Sequence, residues 1–185
     1  MTTTLNNKKV AILLTNGFEQ VEMTEPRQAL LDVGAQVHLV SPEESTVQGW
    51  NHYDKADQFP VDVKLASANA SDYDALVLPG GTVNPDQLRV NDAAVAFVKA
   101  FFDANKPVAA ICHGPWTLVE AGAIKGRKVT SWPSLQTDLK NAGGDWVDQE
   151  VVVDNGLITS RNPDDIPAFN QRLIEAIAQG ALQTA

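Results

Sequence analysis

Three apolar runs of strand length, each followed by a turn that contains glycine, constrain the fold of this chain more than any other feature. The runs are Lys8–Thr15, Asp74–Leu78 and Lys106–Ile111. Short apolar runs bounded by turn residues are typical of strands that are buried on both faces of a parallel sheet. We therefore interpret the three runs as buried strands.

Helical patterns alternate with these strands. Apolar residues recur at helical spacing in Asn91–Asn105, and further elements are indicated by periodicity and by terminal Gly or Pro. The further predicted helices are Glu19–Val33, Trp116–Ala121, Leu135–Ala142 and Asp164–Gln179, and the further predicted strands are Gln36–Ser41, Lys128–Thr130, Glu150–Val153 and Leu157–Thr159. The last two flank an Asn-Gly hairpin turn. Val47–Val63 is harder to assign and is interpreted as an excursion that could hold a hairpin.

This alternation of strand and helix predicts an α/β fold, a doubly wound and mostly parallel sheet sandwiched by helices, as in flavodoxin-like proteins. A length of 185 residues suits a single domain over 1–185, with a flexible start at 1–7. Hydrophobic residues make up 44% of the chain and charged residues 20%, which is ordinary for a globular protein.

Charge and cysteine content narrow the possible functions. The formal net charge is −9, so nucleic acids and anionic membranes are disfavoured as partners. The single cysteine allows no internal disulfide and no multi-cysteine zinc site. The three histidines lie on separate segments without ligand spacing, so no metal or other cofactor is expected. No leader-like apolar segment precedes the first strand, and we expect the cytoplasm.

The most informative single residue is Cys112, which follows the third strand and opens a helix through Gly114 and Pro115. A helix N-terminus favours thiolate over thiol, and a tight turn lifts a nucleophile clear of the sheet. The alternative is a buried core cysteine. The adjacent His113 could act as its base, or it could only cap the turn.

Two other segments should reach the same edge of the sheet, because ligands bind beyond the carboxyl ends of parallel strands. Gly80-Gly81 could offer backbone N–H groups to an oxyanion, or could form an ordinary turn. Glu19 and Glu22 could hydrogen-bond the sulfur and tune its chemistry, or could be solvated acids at a helix start. We expect His38 to be packed in the fold, whereas the role of His52 stays open.

Taken together, these segments resemble the ThiJ/PfpI superfamily, which is related in fold to class I glutamine amidotransferases. The resemblance is carried by the segments AILLTNGFEQVEMTEP (11–26), DALVLPGG (74–81), VAAICHGPWTLVEAG (108–122), GRKVTSW (126–132) and NAGGDWVDQEVVVDNGLITSRNPDDIPAFN (141–170). It is strongest with the PfpI branch of intracellular proteases. The resemblance implies homodimers or larger assemblies with the site near a subunit interface.

The resemblance also implies roles for individual residues. Cys112 matches the nucleophile, Glu22 the acid on its sulfur, and His113 the histidine of the PfpI branch. The remaining implied site residues are a second acid and the glycines of the oxyanion and substrate site, namely Glu19, Gly80, Gly81 and Gly114, with the amide after Cys112 as a further donor. Asp86 is nearest to the position of an acid that orients the histidine from a neighbouring subunit.

We therefore expect a stress-related, cysteine-dependent enzyme. It would be an intracellular cysteine peptidase or hydrolase, or a glyoxalase or deglycase acting on α-oxoaldehydes such as methylglyoxal and on their adducts. Its partner would be a peptide or a small aldehyde. The alternative is a redox-sensing stress protein or chaperone that uses oxidation of Cys112. A glutamine amidotransferase is disfavoured, because no histidine follows His113 in the chain.

Overall fold

The apolar runs pair into one seven-stranded sheet in the computed structural model, which describes residues 4–180. The strands along the described chain are β1 Lys9–Leu13, β2 Phe18–Glu19, β3 Gln36–Ser41, β4 Thr46–Asn51, β5 Asp54–Pro60, β6 Val63–Lys64, β7 Ala75–Leu78, β8 Val108–Ile111, β9 Lys128–Val129, β10 Asp145–Trp146, β11 Val151–Asp154 and β12 Leu157–Ser160. The large sheet has the order β11-β12-β8-β7-β1-β3-β6. Only β11 runs antiparallel to its neighbour, so the sheet is mostly parallel, as predicted.

Helices cover both faces of this sheet. The α-helices are α1 Gln20–Asp32, α2 Val83–Leu88, α3 Asp92–Asp103, α4 Pro115–Glu120, α5 Gln136–Asn141 and α6 Ile166–Gln179. Buried side chains of α1 and α6 pack on one face, and those of α2, α3, α4 and α5 pack on the other. Alternate residues of β8 enter the two cores, because successive strand side chains point to opposite faces. The predicted sandwich is therefore confirmed.

Two hairpins lie outside this simple alternation. The excursion at Val47–Val63 is an antiparallel pair, β4 with β5, and a small sheet joins it to β2. The predicted hairpin near the end of the chain is also present, as β11 with β12. Its turn has positive φ at both Asn155 (45°) and Gly156 (78°), the conformation that tight hairpin turns require.

Near its start, the described chain has a buried residue close to the first strand. Leu5 is only 1% exposed, and its N–H donates to the carbonyl oxygen of Val33 at 2.7 Å. The flexibility expected for residues 1–7 stays a prediction. Residues 1–3 of that segment lie outside the described range.

The three central strands bring the site together. In the sheet, β8 lies next to β7, and β7 lies next to β1, with all three strands parallel. Their carboxyl ends therefore open on the same edge, where the chain continues into Thr15–Gly17, Pro79–Gly81 and Cys112–Gly114. Among residues 4–180, no helix is both long and apolar enough to cross a membrane.

Candidate active site

Cys112 lies on the sharp turn between β8 and α4. Its φ is 61°, in the left-handed region that residues other than glycine rarely adopt. Two backbone hydrogen bonds hold it there: its N–H donates to the carbonyl oxygen of Ser160 (3.0 Å), and its carbonyl oxygen accepts from the N–H of Trp132 (2.9 Å). Strain of this kind persists where the surroundings fix it, and it clusters at functional sites.

Glu22 is the acid beside the sulfur. It lies in the first turn of α1 and is fully buried. Its Oε2 accepts the N–H of Gly80 at 2.8 Å, and its carboxyl group faces the Cys112 thiol. Within residues 4–180, Oε1 is buried and has no hydrogen-bond partner. Burial, and secondarily the charge of Glu19, raises the pKa of Glu22 to about 8, so the carboxyl group is mostly protonated at neutral pH.

Burial also has the largest effect on the pKa of the Cys112 thiol. Cys112 is 7% exposed. Its pKa is raised, first by desolvation and then by the charge of Glu22, while the N–H groups of Gly81 and His113 act in the opposite direction. The sequence suggested that the helix N-terminus would favour thiolate, and for the thiol alone that expectation is wrong because desolvation outweighs the helix. The charge of Glu22 opposes ionisation of the thiol, whereas the hydrogen bond from the Cys112 thiol favours ionisation of Glu22, so the two groups titrate as a coupled pair.

The imidazole of His113 does face the sulfur, although adjacent residues on a turn need not do so. Its Nδ1 lies 3.2 Å from Sγ of Cys112. The ring stacks on Trp132, with centroids 5.9 Å apart, and meets the edge of Trp116 at 5.2 Å. Burial between these groups lowers the pKa of His113 to about 4, so the imidazole is neutral at neutral pH.

The expected oxyanion donors need a correction. The N–H of Gly80 donates to Glu22, and the N–H of Gly114 donates to the carbonyl oxygen of Ile111 at 2.9 Å, so neither is free for an oxyanion. Both glycines are needed for space instead. A Cβ at Gly80 would lie 2.6 Å from Cβ of Cys112, and one at Gly114 would lie 2.5 Å from the carbonyl oxygen of Leu78.

Two donors remain beside the sulfur, the N–H of Gly81 and the N–H of His113. They correspond to the expected second glycine and to the expected amide after the cysteine. An oxyanion that forms on an atom bonded to Sγ would lie within reach of both groups, which is the arrangement that stabilises tetrahedral intermediates.

Glu19 belongs to the same edge but reaches the sulfur only indirectly. It is 9% exposed. Its Oε2 accepts the backbone N–H of His52 at 3.1 Å, and its Oε1 lies 3.4 Å from Nδ1 of that histidine. His52 therefore belongs to the surroundings of Glu19. His38 is packed as expected, with Nδ1 3.3 Å from the hydroxyl of Tyr73.

Helix α2 was not foreseen from the sequence, and it carries two residues of interest. Asp86 is on its exposed side and makes no hydrogen bond to His113 within the chain described over residues 4–180. Asn84 is fully buried and was missed by sequence reasoning. Its amide contacts Thr15, Pro79 and Gly80, but a lone Asn before Pro gives no signal of such a role.

Over residues 4–180, no group of three or more His, Cys, Asp or Glu side chains is placed to hold a metal ion. The ionisable groups that meet at the sulfur are the thiol of Cys112, the carboxyl group of Glu22 and the imidazole of His113. The fold and this turn define the class of the molecule: an α/β sandwich with a cysteine on a sharp strand-to-helix turn at the carboxyl edge of the sheet.

Comparison with known proteins names the family. The model of the DJ-1/PfpI family matches residues 8–176, and this chain belongs to that family. The resemblance drawn from the sequence is thereby confirmed. Among solved structures, DJ-1beta of Drosophila melanogaster superposes with a TM-score of 0.84 at 29% identity, covering 92% of this chain and 90% of that one.

Three curated relatives illustrate the names found within the family. General stress protein 18 of Bacillus subtilis is 48% identical over 166 residues, which is 89% of this chain and 94% of the relative. A protein named deglycase from Pyrococcus horikoshii is 41% identical, covering 91% of this chain and 99% of its own. The "Putative cysteine protease YraA" of Bacillus subtilis is 40% identical, covering 92% and 99%.

Proposed function

We propose that this protein is a stress-related, cysteine-dependent enzyme that converts α-oxoaldehydes, or their adducts with amines and thiols, as a glyoxalase or deglycase. The observation that carries the proposal is the fully buried Glu22, which faces the Cys112 thiol with a pKa raised to about 8. Conversion of an α-oxoaldehyde to a hydroxy acid needs a nucleophile and a group that both releases and accepts a proton at neutral pH. Glu22 is such a group.

The proposed reaction can be followed bond by bond. Sγ of Cys112 adds to the aldehyde carbon, the thiol proton ends on the carbonyl oxygen, and a hemithioacetal forms. The ionised form of Glu22, accessible at neutral pH because its pKa is about 8, then removes the proton from that carbon. The hydroxyl proton passes to the neighbouring carbonyl oxygen, and Glu22 returns its proton to the neighbouring carbon, which leaves a thioester and a hydroxyl group. Water cleaves the thioester, releasing the hydroxy acid and restoring the thiol. In an amine adduct, the hydroxyl proton first passes to the amine, which leaves as the aldehyde re-forms, and Sγ then adds to that aldehyde as above.

The N–H groups of Gly81 and His113 support this sequence, because both point at the sulfur. Each tetrahedral oxyanion forms on the carbon bound to Sγ, next to these donors. Nδ1 of the neutral His113 lies 3.2 Å from Sγ, so it can accept a hydrogen bond from the thiol until the thiol proton passes to the carbonyl oxygen. The names of the relatives, deglycase and general stress protein, agree with this assignment.

The first test compares wild type with Cys112→Ala and Glu22→Gln, using methylglyoxal and measuring hydroxy acid. We expect no product from Cys112→Ala and a loss of 100-fold or more in kcat, about 3 kcal/mol, for Glu22→Gln, as is typical for removal of a general base. Glu43→Gln is the matched control, since Glu43 is partly exposed and bonds Thr15 away from the sulfur. Full activity in Cys112→Ala would overturn the proposal.

Peptide hydrolysis is a less well supported activity of the same site. It requires a protonated base to donate to the leaving amine. Burial holds the pKa of His113 at about 4, which disfavours the imidazolium that this step needs. A fluorogenic peptide assayed beside methylglyoxal decides the matter: cleavage that depends on Cys112 and exceeds the aldehyde activity would favour the peptidase.

A redox role is the second candidate, and a specific observation favours it. A protonated Glu22 and two backbone N–H groups are donors suited to a sulfinate on Cys112. Two equivalents of peroxide would oxidise the thiol through sulfenic to sulfinic acid, releasing two waters. Mass spectrometry of wild type and Glu22→Gln after mild peroxide tests this: oxidation that is not selective for Cys112, or is unchanged in Glu22→Gln, would contradict the role.

We further propose that the site is completed in a homodimer or larger assembly, where Asp86 of a second subunit orients His113. The exposure of Asp86 on α2 supports this idea. Sedimentation of wild type should give at least a dimer, and Asp86→Asn should lower kcat without changing assembly. A monomer with full activity would exclude it.

We place the protein in the cytoplasm, because a lone reactive thiol suits a reducing compartment.

A further inference from the structure

We propose that Asn84 is a positioning residue that fixes the peptide between Gly80 and Gly81 and thereby sets the reactivity of Cys112. Asn84 is fully buried in α2. Its Oδ1 accepts the N–H of Thr15 at 2.8 Å. Its Nδ2 donates to the carbonyl oxygens of Pro79 (3.0 Å) and Gly80 (3.1 Å). The side chain therefore joins the end of β1 to the turn after β7.

The geometry of one peptide unit links Asn84 to the sulfur. The carbonyl oxygen of Gly80 and the N–H of Gly81 belong to the same plane and point in opposite directions. The oxygen accepts from Nδ2 of Asn84 and from the N–H of Glu19 at 3.4 Å. The N–H on the other side faces Cys112. Any rotation that breaks the contact with Asn84 also turns the Gly81 N–H away from the sulfur.

Hydrogen bonds at the oxygen also strengthen the donor. Donation to a peptide oxygen polarises the unit, so its N–H becomes a better donor in turn. Because Asn84 and Cys112 are both buried, solvent screens this effect only weakly. Asn84 thus orients and strengthens an N–H that stabilises negative charge at the sulfur, although it does not touch Cys112 itself.

The double glycine cannot hold this geometry unaided. Gly81 has a φ of +77°, and a Cβ there would lie 2.7 Å from the backbone nitrogen of Glu19. A Cβ at Gly80 would lie 2.5 Å from Oε2 of Glu22. The turn must therefore do without side chains of its own, and glycine has more conformational freedom than any other residue. The hydrogen bonds from Asn84 restrain the backbone of this turn, since the turn has no side chains of its own to do so.

The orientation of the Asn84 amide follows from its partners. One partner is an N–H donor and the other two are carbonyl acceptors. Only Oδ1 towards Thr15 and Nδ2 towards the carbonyl oxygens satisfies all three. Asparagine is thus suited to this position by having an acceptor and two donor hydrogens on one rigid group.

The test measures the rate of iodoacetamide alkylation of Cys112 against pH in the full chain, which needs no substrate and is independent of the proposed activity. Asn84→Ala should slow alkylation roughly tenfold at neutral pH and move the rate profile about one unit to higher pH, since one pKa unit corresponds to a factor of ten. Asn84→Asp keeps the volume and the bond to Thr15 but loses both donor hydrogens, and should show the same loss.

Asn91→Ala is the matched control. The Asn91 side chain also accepts a backbone N–H, that of Ala94 at the start of α3, but it lies outside the site. This variant should lose stability and keep the wild-type alkylation profile. A folded Asn84→Ala or Asn84→Asp protein with wild-type alkylation would overturn the proposal, as would an equal slowing in Asn91→Ala.

Discussion

At the scale of single residues, the sequence identified the groups but not their protonation. Cys112, His113 and Glu22 were all foreseen, and all three meet at the sulfur. What the sequence could not supply was burial. Desolvation raises the pKa values of Glu22 and Cys112 and lowers that of His113, and it depends on the packing of residues distant along the chain. The protonation of Cys112 and that of Glu22 are consequently coupled.

Burial of Glu22 also predicts how stability depends on pH. Its pKa is raised from 4.5 to about 8 on folding, so the folded chain binds more protons between these values and stability falls as pH rises through them. Glu22→Gln removes this loss while keeping an acceptor for the N–H of Gly80. We expect a Tm higher than that of wild type by roughly 5–10 °C above pH 8, and little difference near pH 4.5, by thermal unfolding followed by circular dichroism.

The same measurement can contradict the assignment. A Glu22→Gln protein whose Tm falls in parallel with that of wild type from about pH 5 to about pH 8 would mean that Glu22 is already ionised at low pH in the folded chain. Glu43→Gln provides the matched comparison, since Glu43 is partly exposed.

At the scale of elements, the sequence did well where strands are apolar and helices periodic. The strands β1, β7 and β8 lie where the apolar runs predicted them, and α3 spans all but the ends of its predicted range. The sequence pattern did not predict α2, because its six residues include a proline and show no clear apolar period. This short helix is formed by contacts: Asn84 anchors it to β1 and to the turn after β7. Such tertiary anchoring leaves no local pattern.

Two glycines test what the turn after β7 requires. Gly81 and Gly126 have similar positive φ values, +77° and +75°, but a Cβ at Gly81 would meet backbone atoms, whereas one at Gly126 would meet nothing within 4 Å. Gly126→Ala should therefore cost only the conformational strain of about 1–2 kcal/mol. Gly81→Ala should lose more stability and should also slow alkylation of Cys112 relative to wild type. Urea unfolding and the iodoacetamide rate measure the two effects.

Equal losses of stability in the two variants, with alkylation intact in Gly81→Ala, would show that the turn tolerates a side chain. Close packing would then not be what fixes the N–H of Gly81 beside the sulfur, and the turn would not require two glycines.

At the scale of the whole molecule, the sheet order explains why a site can be assembled here at all. Adjacent parallel strands deliver three turns to one edge: the first brings in Glu22 through α1, the second the glycine turn, and the third Cys112 with His113. Membership of the DJ-1/PfpI family agrees with this arrangement over residues 8–176. The sequence anticipated the meeting of these turns from the α/β rule, but the assignment of each N–H group required the coordinates.

The central claim is that a protonated Glu22 lies beside Cys112 at neutral pH, and infrared difference spectroscopy tests it most directly. The carbonyl stretch of a protonated carboxyl group, identified as the band that wild type has and Glu22→Gln lacks, should be present near pH 6 and vanish through about pH 8. Alkylation of Cys112 should shift its position. Absence of that band at about pH 6, where an ordinary Glu is already ionised, would contradict the account.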